Sequence, residues 1–221
     1  MQEYKKNNIL IGKNLEELQN WTQINGETKF RGTQLFEWVY KRGVLDPKLM
    51  TNISDKFKIF LENECIFSTI KLEKLSTSNN NRTIKYLFKL KDNQFIETVS
   101  MIDRKFHTVC ISSQVGCNVD CKFCATASMG FIRNLTSGEI IEQLMYVRSN
   151  VNQKITNVVF MGMGEPFMNY DNVLKSADIF HDNLGFGLSA KRITISTAGI
   201  VTKIKKYVGD NRNYNLAVSL N

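Results

Sequence analysis

The chain has 221 residues, 29 Lys+Arg against 21 Asp+Glu for a net charge of +8, and 43% hydrophobic side chains. That is enough for one large domain or two small ones with a packed core, and it excludes a disordered or collagen-like chain. No apolar run nears the ~20 residues of a membrane span, Met1 to Asn8 does not read as a signal peptide, and five cysteines, with Cys110, Cys117, Cys121 and Cys124 bunched, exclude a secreted disulfide scaffold.

The clustered thiols suit metal or redox chemistry in a reducing cytoplasm. The charge is spread: residues 1–90 hold 15 basic and 10 acidic side chains, and residues 91–221 hold 14 and 11. It reads either as a solvated Lys-rich surface or as a footprint for phosphate backbones.

The amino-terminal third is predicted helical. Over 33–42, Leu35, Phe36, Val39 and Tyr40 share one face, with Thr33 as cap and Gly43 as stop. A second helix is expected over 49–64, with Ile53, Phe57, Phe60 and Leu61 on one side. The period then changes to two. Ile84, Tyr86, Phe88 and Leu90 alternate in a strand over 83–90, Asp92-Asn93 turns, and 94–101 returns. From Val109 strands and helices alternate: strand 109–111, helix 136–150 opened by a Thr136-x-x-Glu139 capping box, and strand 157–161 with a Gly-rich turn. Helix 172–180, strand 192–196, a basic helix over 202–207 and strand 216–220 follow. That order is α/β with a parallel sheet, open or barrel-like, whose polar groups gather at the carboxyl ends of the strands.

Cys117, Cys121 and Cys124 are the strongest signal. Three thiols in so short a loop can wrap one compact metal centre. Structural zinc wants a fourth ligand, which Cys110 or His107 could supply. An ordinary four-iron cluster wants four thiolates; three suffice if one iron is left open to a substrate group. Cys65 reads as a core cysteine, and His107 and His181 as structural or surface residues.

Cys117-x-x-x-Cys121-x-Phe123-Cys124 resembles the radical S-adenosylmethionine (SAM) signature. The wider runs Cys110–Cys117, Cys121–Ala127, Gly130–Thr136, Phe160–Pro166 and Arg192–Gly199, with Phe30–Tyr40 and Phe95–Val99 upstream, resemble one family over nearly the whole chain. It is the RlmN/Cfr family of radical SAM RNA adenine methyltransferases. The resemblance implies a partial (β/α) barrel of the radical SAM type, incomplete here. A small helical RNA-contacting domain would occupy 1–80, a β-hairpin linker 81–104 and the radical SAM core 105–221. Lys29, Arg31, Lys41 and Arg42 mark a candidate RNA surface on the first domain.

Carried over by residue, the resemblance implies that Cys117, Cys121 and Cys124 ligate a [4Fe-4S] cluster whose fourth iron takes SAM. Gly164, Glu165 and Ser196 would contact SAM, as would Ser219, Leu220 and Asn221, where Asn221 replaces the family's His. Glu97 would accept the proton lost from the base. Cys110 would resolve the enzyme–RNA adduct by forming a disulfide with a methyl-carrying cysteine. The implied reaction is methylation at C2 of an adenine in 23S rRNA and tRNA; Gly164-Glu165-Pro166 favours C2 over the C8 chemistry of Cfr. An electron donor such as flavodoxin or ferredoxin, a monomer and a cytoplasmic location belong to the same picture. The family's methyl-carrying cysteine lies in its carboxyl-terminal part, and no cysteine follows Cys124. A truncated, incomplete family member is therefore expected. Competing readings are a zinc-stabilised, non-catalytic RNA-binding module and a radical SAM enzyme acting on a small molecule.

Overall fold

The protein is described here from a computed structural model covering residues 8–119, 121–122 and 124–220. Strand β1 (Asn8–Ile9) leads into α1 (Leu15–Ile24), which starts at a capping box: the Asn14 side chain accepts from the Glu17 N–H, and Glu17 returns to the Asn14 N–H. Helix α2 (Lys29–Phe36) runs directly into a π turn over Glu37–Lys41. This helix begins four residues before the predicted start. Thr33 lies inside it and does not cap it; its hydroxyl accepts from Gln19 Nε2 at 3.0 Å instead. Helix α3 (Asp55–Glu64) is shorter than expected, because Pro47–Leu49 forms a separate 3-10 turn. Trp21, Phe57 and Phe60 pack ring to ring between α1 and α3. Strand β2 (Cys65–Ile66) pairs with β1 and buries Cys65 in the core.

A seven-stranded sheet forms the rest of the frame. Its first four strands are β3 (Ile70–Thr77), β4 (Thr83–Leu90), β5 (Phe95–Asp103) and β6 (Phe106–Cys110). A small hairpin of β7 (Gln114–Gly116) and β8 (Phe131–Asn134) holds the cysteine loop. Then come α4 (Ser137–Asn150), β9 (Asn157–Phe160), α5 (Tyr170–His181), β10 (Ile193–Thr197), α6 (Val201–Gly209) and β11 (Asn215–Val218). The strand order is β11-β10-β9-β6-β5-β4-β3. Strands β3 to β6 pair antiparallel; β6, β9, β10 and β11 pair parallel, joined by the helical crossovers. No break in pairing falls at residue 104, since Ile102 faces His107 across β5 and β6. The predicted hairpin thus belongs to the same sheet as the barrel strands, with β3 as a further strand.

One face of this sheet is packed and the other is open. Tyr86 and Phe88 point to the packed face and meet Tyr146 of α4 edge-on, Phe88 at 5.1 Å between ring centres. Ile140, Ile141, Leu144 and Val147 complete that layer. Lys85, Glu97, Val99, Cys110 and Val159 alternate onto the other face.

The buried carboxylate of Glu142 ties α4 to the chain entering β3. It accepts from the N–H groups of Thr69 and Ile70 and from the hydroxyls of Ser68 and Thr69, at 2.7–3.2 Å. Burial pushes this carboxyl from 4.5 up to about 7, against the pull of the N–H donors. A carboxyl raised in this way contributes stability that is full below about 4.5 and lost as pH rises through about 7. In urea unfolding, the stability advantage of wild type over Glu142→Gln is therefore expected to narrow as pH rises across that window. A widening gap would mean that the donors hold the ionised form.

Candidate active site

The loop between β7 and β8 is built around the three thiols. Cys117 begins it, its N–H donating to the Gly130 carbonyl at 3.0 Å, and the Cys124 N–H donates to Cys121 O at 3.0 Å. Arg133 anchors the loop's far strand. Its guanidinium bonds Asp92 at the β4–β5 turn at 2.6 Å and Glu139 in the first turn of α4 at 2.8 and 2.9 Å. That guanidinium holds the Asp92 carboxyl below its ordinary range.

Cys117, Cys121 and Cys124 line one cavity of about 270 Å³, together with Gly164, Glu165, Ser196 and Ser219. The cavity sits at the carboxyl ends of β9, β10 and β11, where alternating α/β architectures place their sites. Each helix crossover ends a strand in a loop there, which is why groups as distant in sequence as Cys117 and Ser219 converge.

Glu165 is 4% exposed, and both its oxygens are engaged: Oε1 accepts from Phe167 N–H at 2.9 Å and Oε2 from Ala198 N–H at 2.7 Å. It therefore clamps the β9 loop to the β10 loop, with lone pairs remaining toward the cavity. Gly164 turns at φ +98°, and a Cβ there would press on the Gln114 side chain. Ser196 Oγ and Ser219 Oγ lie 3.5 Å apart at the ends of β10 and β11. Leu220 is fully out in solvent and does not line the cavity. Asn221 lies outside the described residues.

Cys110 and Glu97 occupy the open sheet face beside this cavity. Val99 pairs with Cys110, so Glu97 is a diagonal neighbour of Cys110 on that face, a separation of ~7–8 Å between backbone positions. Glu97 pairs with Lys85 Nζ at 2.9 Å. Burial pushes the Cys110 thiol up to about 11.

His107 faces the opposite way. It is fully buried, with Nε2 bonded to Ser100 Oγ and Nδ1 to Gln153 O, both at 2.8 Å. Both ring nitrogens are spent, so His107 cannot complete a zinc site. Cys110 does not line the thiol cavity either, so neither residue considered as a fourth zinc ligand stands there. His181 is a surface residue bonded to Leu188 O.

The donor set fits an iron–sulfur cluster with one open iron: three reduced thiols, no fourth thiol or imidazole among the described lining residues, and a cavity continuing past them to polar strand ends. Among the described residues the thiols are not drawn together as preformed ligands. They are close enough for Cys121 and Cys124 to raise the Cys117 thiol, after the larger effect of burial.

Two contributors were not visible from the sequence. Gln114 is buried in β7, where its Oε1 accepts from Glu165 N–H at 2.8 Å and its Nε2 donates to Asn134 Oδ1 at 2.7 Å. Asn169 donates to Ser113 O and Leu135 O, both at 2.7 Å. The one available signal was the polar run Ser112-Ser113-Gln114 following an apolar strand.

Of the candidate RNA surface, Lys29, Lys41 and Arg42 are exposed. Arg31 instead braces its own domain, bonding Gln34 Oε1 at 2.6 Å and Asn52 O at 2.9 Å.

A parallel half-barrel with a three-cysteine loop above its strand ends is the architecture of a radical SAM protein. The chain belongs to the Radical SAM superfamily, whose family model matches residues 111–221. Residues 8–67 match the model described as the ribosomal RNA large subunit methyltransferase N-terminal domain, RlmN_N. The chain is 47% identical to the dual-specificity RNA methyltransferase RlmN of Wigglesworthia glossinidia brevipalpis, over 98% of this chain and 57% of that protein. It is 43% identical to a protein of Dictyoglomus turgidum named "Probable dual-specificity RNA methyltransferase RlmN", over 97% of this chain and 62% of the relative. A crystal structure of a radical SAM methyltransferase from Sphaerobacter thermophilus superposes with a TM-score of 0.91 at 36% identity, covering 97% of this chain and 64% of that one. The chain thus spans about three fifths of the length of the curated relatives it matches.

Proposed function

We propose that the protein binds a [4Fe-4S] cluster and SAM and serves methylation of adenine C2 in 23S rRNA and tRNA through a methylcysteine. The observation that carries the reading is the single cavity shared by three thiols, the Gly164-Glu165 turn and the hydroxyls of Ser196 and Ser219. The cluster, when bound, supplies the electron that cleaves SAM reductively.

The chain's own residues orient and shield. Cys117, Cys121 and Cys124 would hold the cluster, and SAM would bind beside them in the same cavity. Gly164 lets backbone approach the ligand, and the Glu165 carboxylate accepts from the SAM ammonium while its backbone bonds keep it from turning away. Ser196 and Ser219 offer hydroxyls. Glu97 takes the proton released from the base; Lys85, paired with it at 2.9 Å, holds its side chain in place. Cys110, on the same sheet face, would resolve the adduct: its sulfur forms a disulfide with the methyl-carrying cysteine, a role assigned to none of the five cysteines here, while that cysteine's S–C bond breaks and the freed carbon takes a proton. Its high thiol value means that a base or the substrate must help remove its proton. The exposed Lys29, Lys41 and Arg42 supply phosphate contacts. A flavodoxin- or ferredoxin-like donor, a monomeric state and a cytoplasmic location complete the proposal.

Anaerobic reconstitution tests the cofactor reading. A brown protein with about four irons per chain is expected, with SAM altering the cluster's electron paramagnetic spectrum. Cys121→Ala should lose the iron, while Cys65→Ala should keep it. Colourless, zinc-loaded protein would sink the proposal in favour of a zinc module. The methylated position is read separately: deleting the gene should remove 2-methyladenosine from rRNA and tRNA. Loss of 8-methyladenosine instead would assign the Cfr-type reaction.

A further inference from the structure

A second cavity lies at the opposite end of the strands, by the amino ends of β9 and β10, and nothing in the cluster chemistry uses it. It measures about 440 Å³, larger than the thiol cavity. Ile155 and Thr156 enter it on the way into β9, Arg192 on the way into β10, and α4 delivers Arg148 from its last turn.

Its charge is one-sided. Arg148, Lys154 and Arg192 line it, and no Asp or Glu does. None of these three cations forms an ion pair with a described residue. Elsewhere in the molecule Arg133, Lys175 and Arg212 all meet carboxylates.

Arg148 is the telling member. Its Nη1 donates to Tyr40 O at 2.7 Å, and its guanidinium lies 4.4 Å over the Phe186 ring. Its Nη2 is buried with no hydrogen-bond partner. The carboxyl end of α4 attracts one cation by its dipole, which accounts for Arg148. It does not account for Lys154 or Arg192, which lie outside that helix. Three uncompensated positive charges around one cavity repel each other, and an anionic occupant offsets that repulsion.

We propose that this cavity is a binding site for a phosphate group carried on an organic ligand. A phosphate presents enough acceptor oxygens to engage the Arg192 guanidinium, the Lys154 ammonium and the Ser189 hydroxyl together. The volume exceeds that of a bare phosphate, and Leu144, Val151 and Phe186 give it an apolar wall for an attached organic body. A free nucleotide and a phosphate of a polynucleotide share this chemistry. The site is independent of the cluster and of the methylation reading.

Calorimetric titration of the 221-residue chain with AMP, with a short single-stranded RNA and with inorganic phosphate tests it. Saturable one-to-one binding of AMP or RNA is expected, and at least roughly tenfold weaker binding by Lys154→Gln/Arg192→Gln, because each loses a charged hydrogen bond. Both side chains are exposed at the rim, so the variant should fold as wild type. Arg148 is left intact because it also holds Tyr40. Lys56→Gln, on the exposed side of α3, should leave AMP affinity unchanged. AMP binding lost in the double variant assigns the site to a free nucleotide, and RNA binding lost without AMP binding assigns it to a polynucleotide. Absence of saturable binding to all three probes, or equal affinity in the double variant, overturns the proposal.

Discussion

Gly116→Ala is expected to destabilise the protein by about 2–5 kcal/mol and to displace the cysteine loop. Gly116 ends β7 at φ +73°, in the left-handed region, and immediately precedes Cys117. Leaving glycine there costs roughly 1–2 kcal/mol for the backbone alone. A Cβ would also overlap the Gly130 carbonyl oxygen across the hairpin, and that atom is backbone that cannot swing aside. Overpacking of this kind adds about 1–3 kcal/mol. The same Gly130 oxygen receives the Cys117 N–H, so relief of the clash moves the first thiol. Urea unfolding should show the lower midpoint, and anaerobic reconstitution should show less iron per chain even below the unfolding transition. Wild-type stability with wild-type iron would mean that the hairpin adjusts without cost.

The site was more legible in the sequence than the sheet that carries it. The thiols are neighbours in the chain, so their spacing alone reveals them. The strand Thr83–Leu90 shows itself because Tyr86, Phe88 and Leu90 alternate into a packed face. The capping box at Thr136 and Glu139 marks the start of α4 for a local reason too. Strand β3 escapes because a bulge between Leu72 and Lys74 shifts its register and breaks the alternation that would betray it. The π turn at Glu37–Lys41 escapes because it keeps the apolar face of a helix while changing its hydrogen bonds. Helix α1 carries a readable box at Asn14 and Glu17, but it buries only Leu18 and Trp21 as large apolar side chains and so shows a weak apolar face.

What no local pattern supplies is partnership at a distance. Gln114 reads as the end of a short polar run until Glu165, 51 residues away, presents its N–H. Likewise the pairing of β5 with β6 decides that the hairpin extends the barrel sheet, and nothing in residues 81–104 alone announces it. Glu165 shows the two kinds of information meeting. The Gly-Glu-Pro turn is visible as a motif, while its bonds to both loop backbones are not.

Those bonds carry the second large effect. Glu165→Ala should cost about 3–6 kcal/mol, the sum of two charge-assisted bonds at about 1.5–3 kcal/mol each. Phe167 N–H and Ala198 N–H would be left without their acceptor, with water poorly placed to replace it at a position 4% exposed. Because Ala198 follows β10 and Phe167 follows β9, the loss should loosen the two loops relative to each other. Glu165→Gln separates this clamp from a contact to SAM. It keeps one acceptor oxygen and places an amide donor against the other N–H, so it should recover only part of the stability. Urea unfolding without ligand reads the clamp; SAM binding to the cluster-loaded protein reads the ligand contact. If both variants unfold as wild type, the carboxylate is not holding the loops. If they unfold early yet bind SAM with wild-type affinity, Glu165 shapes the cavity without touching its occupant.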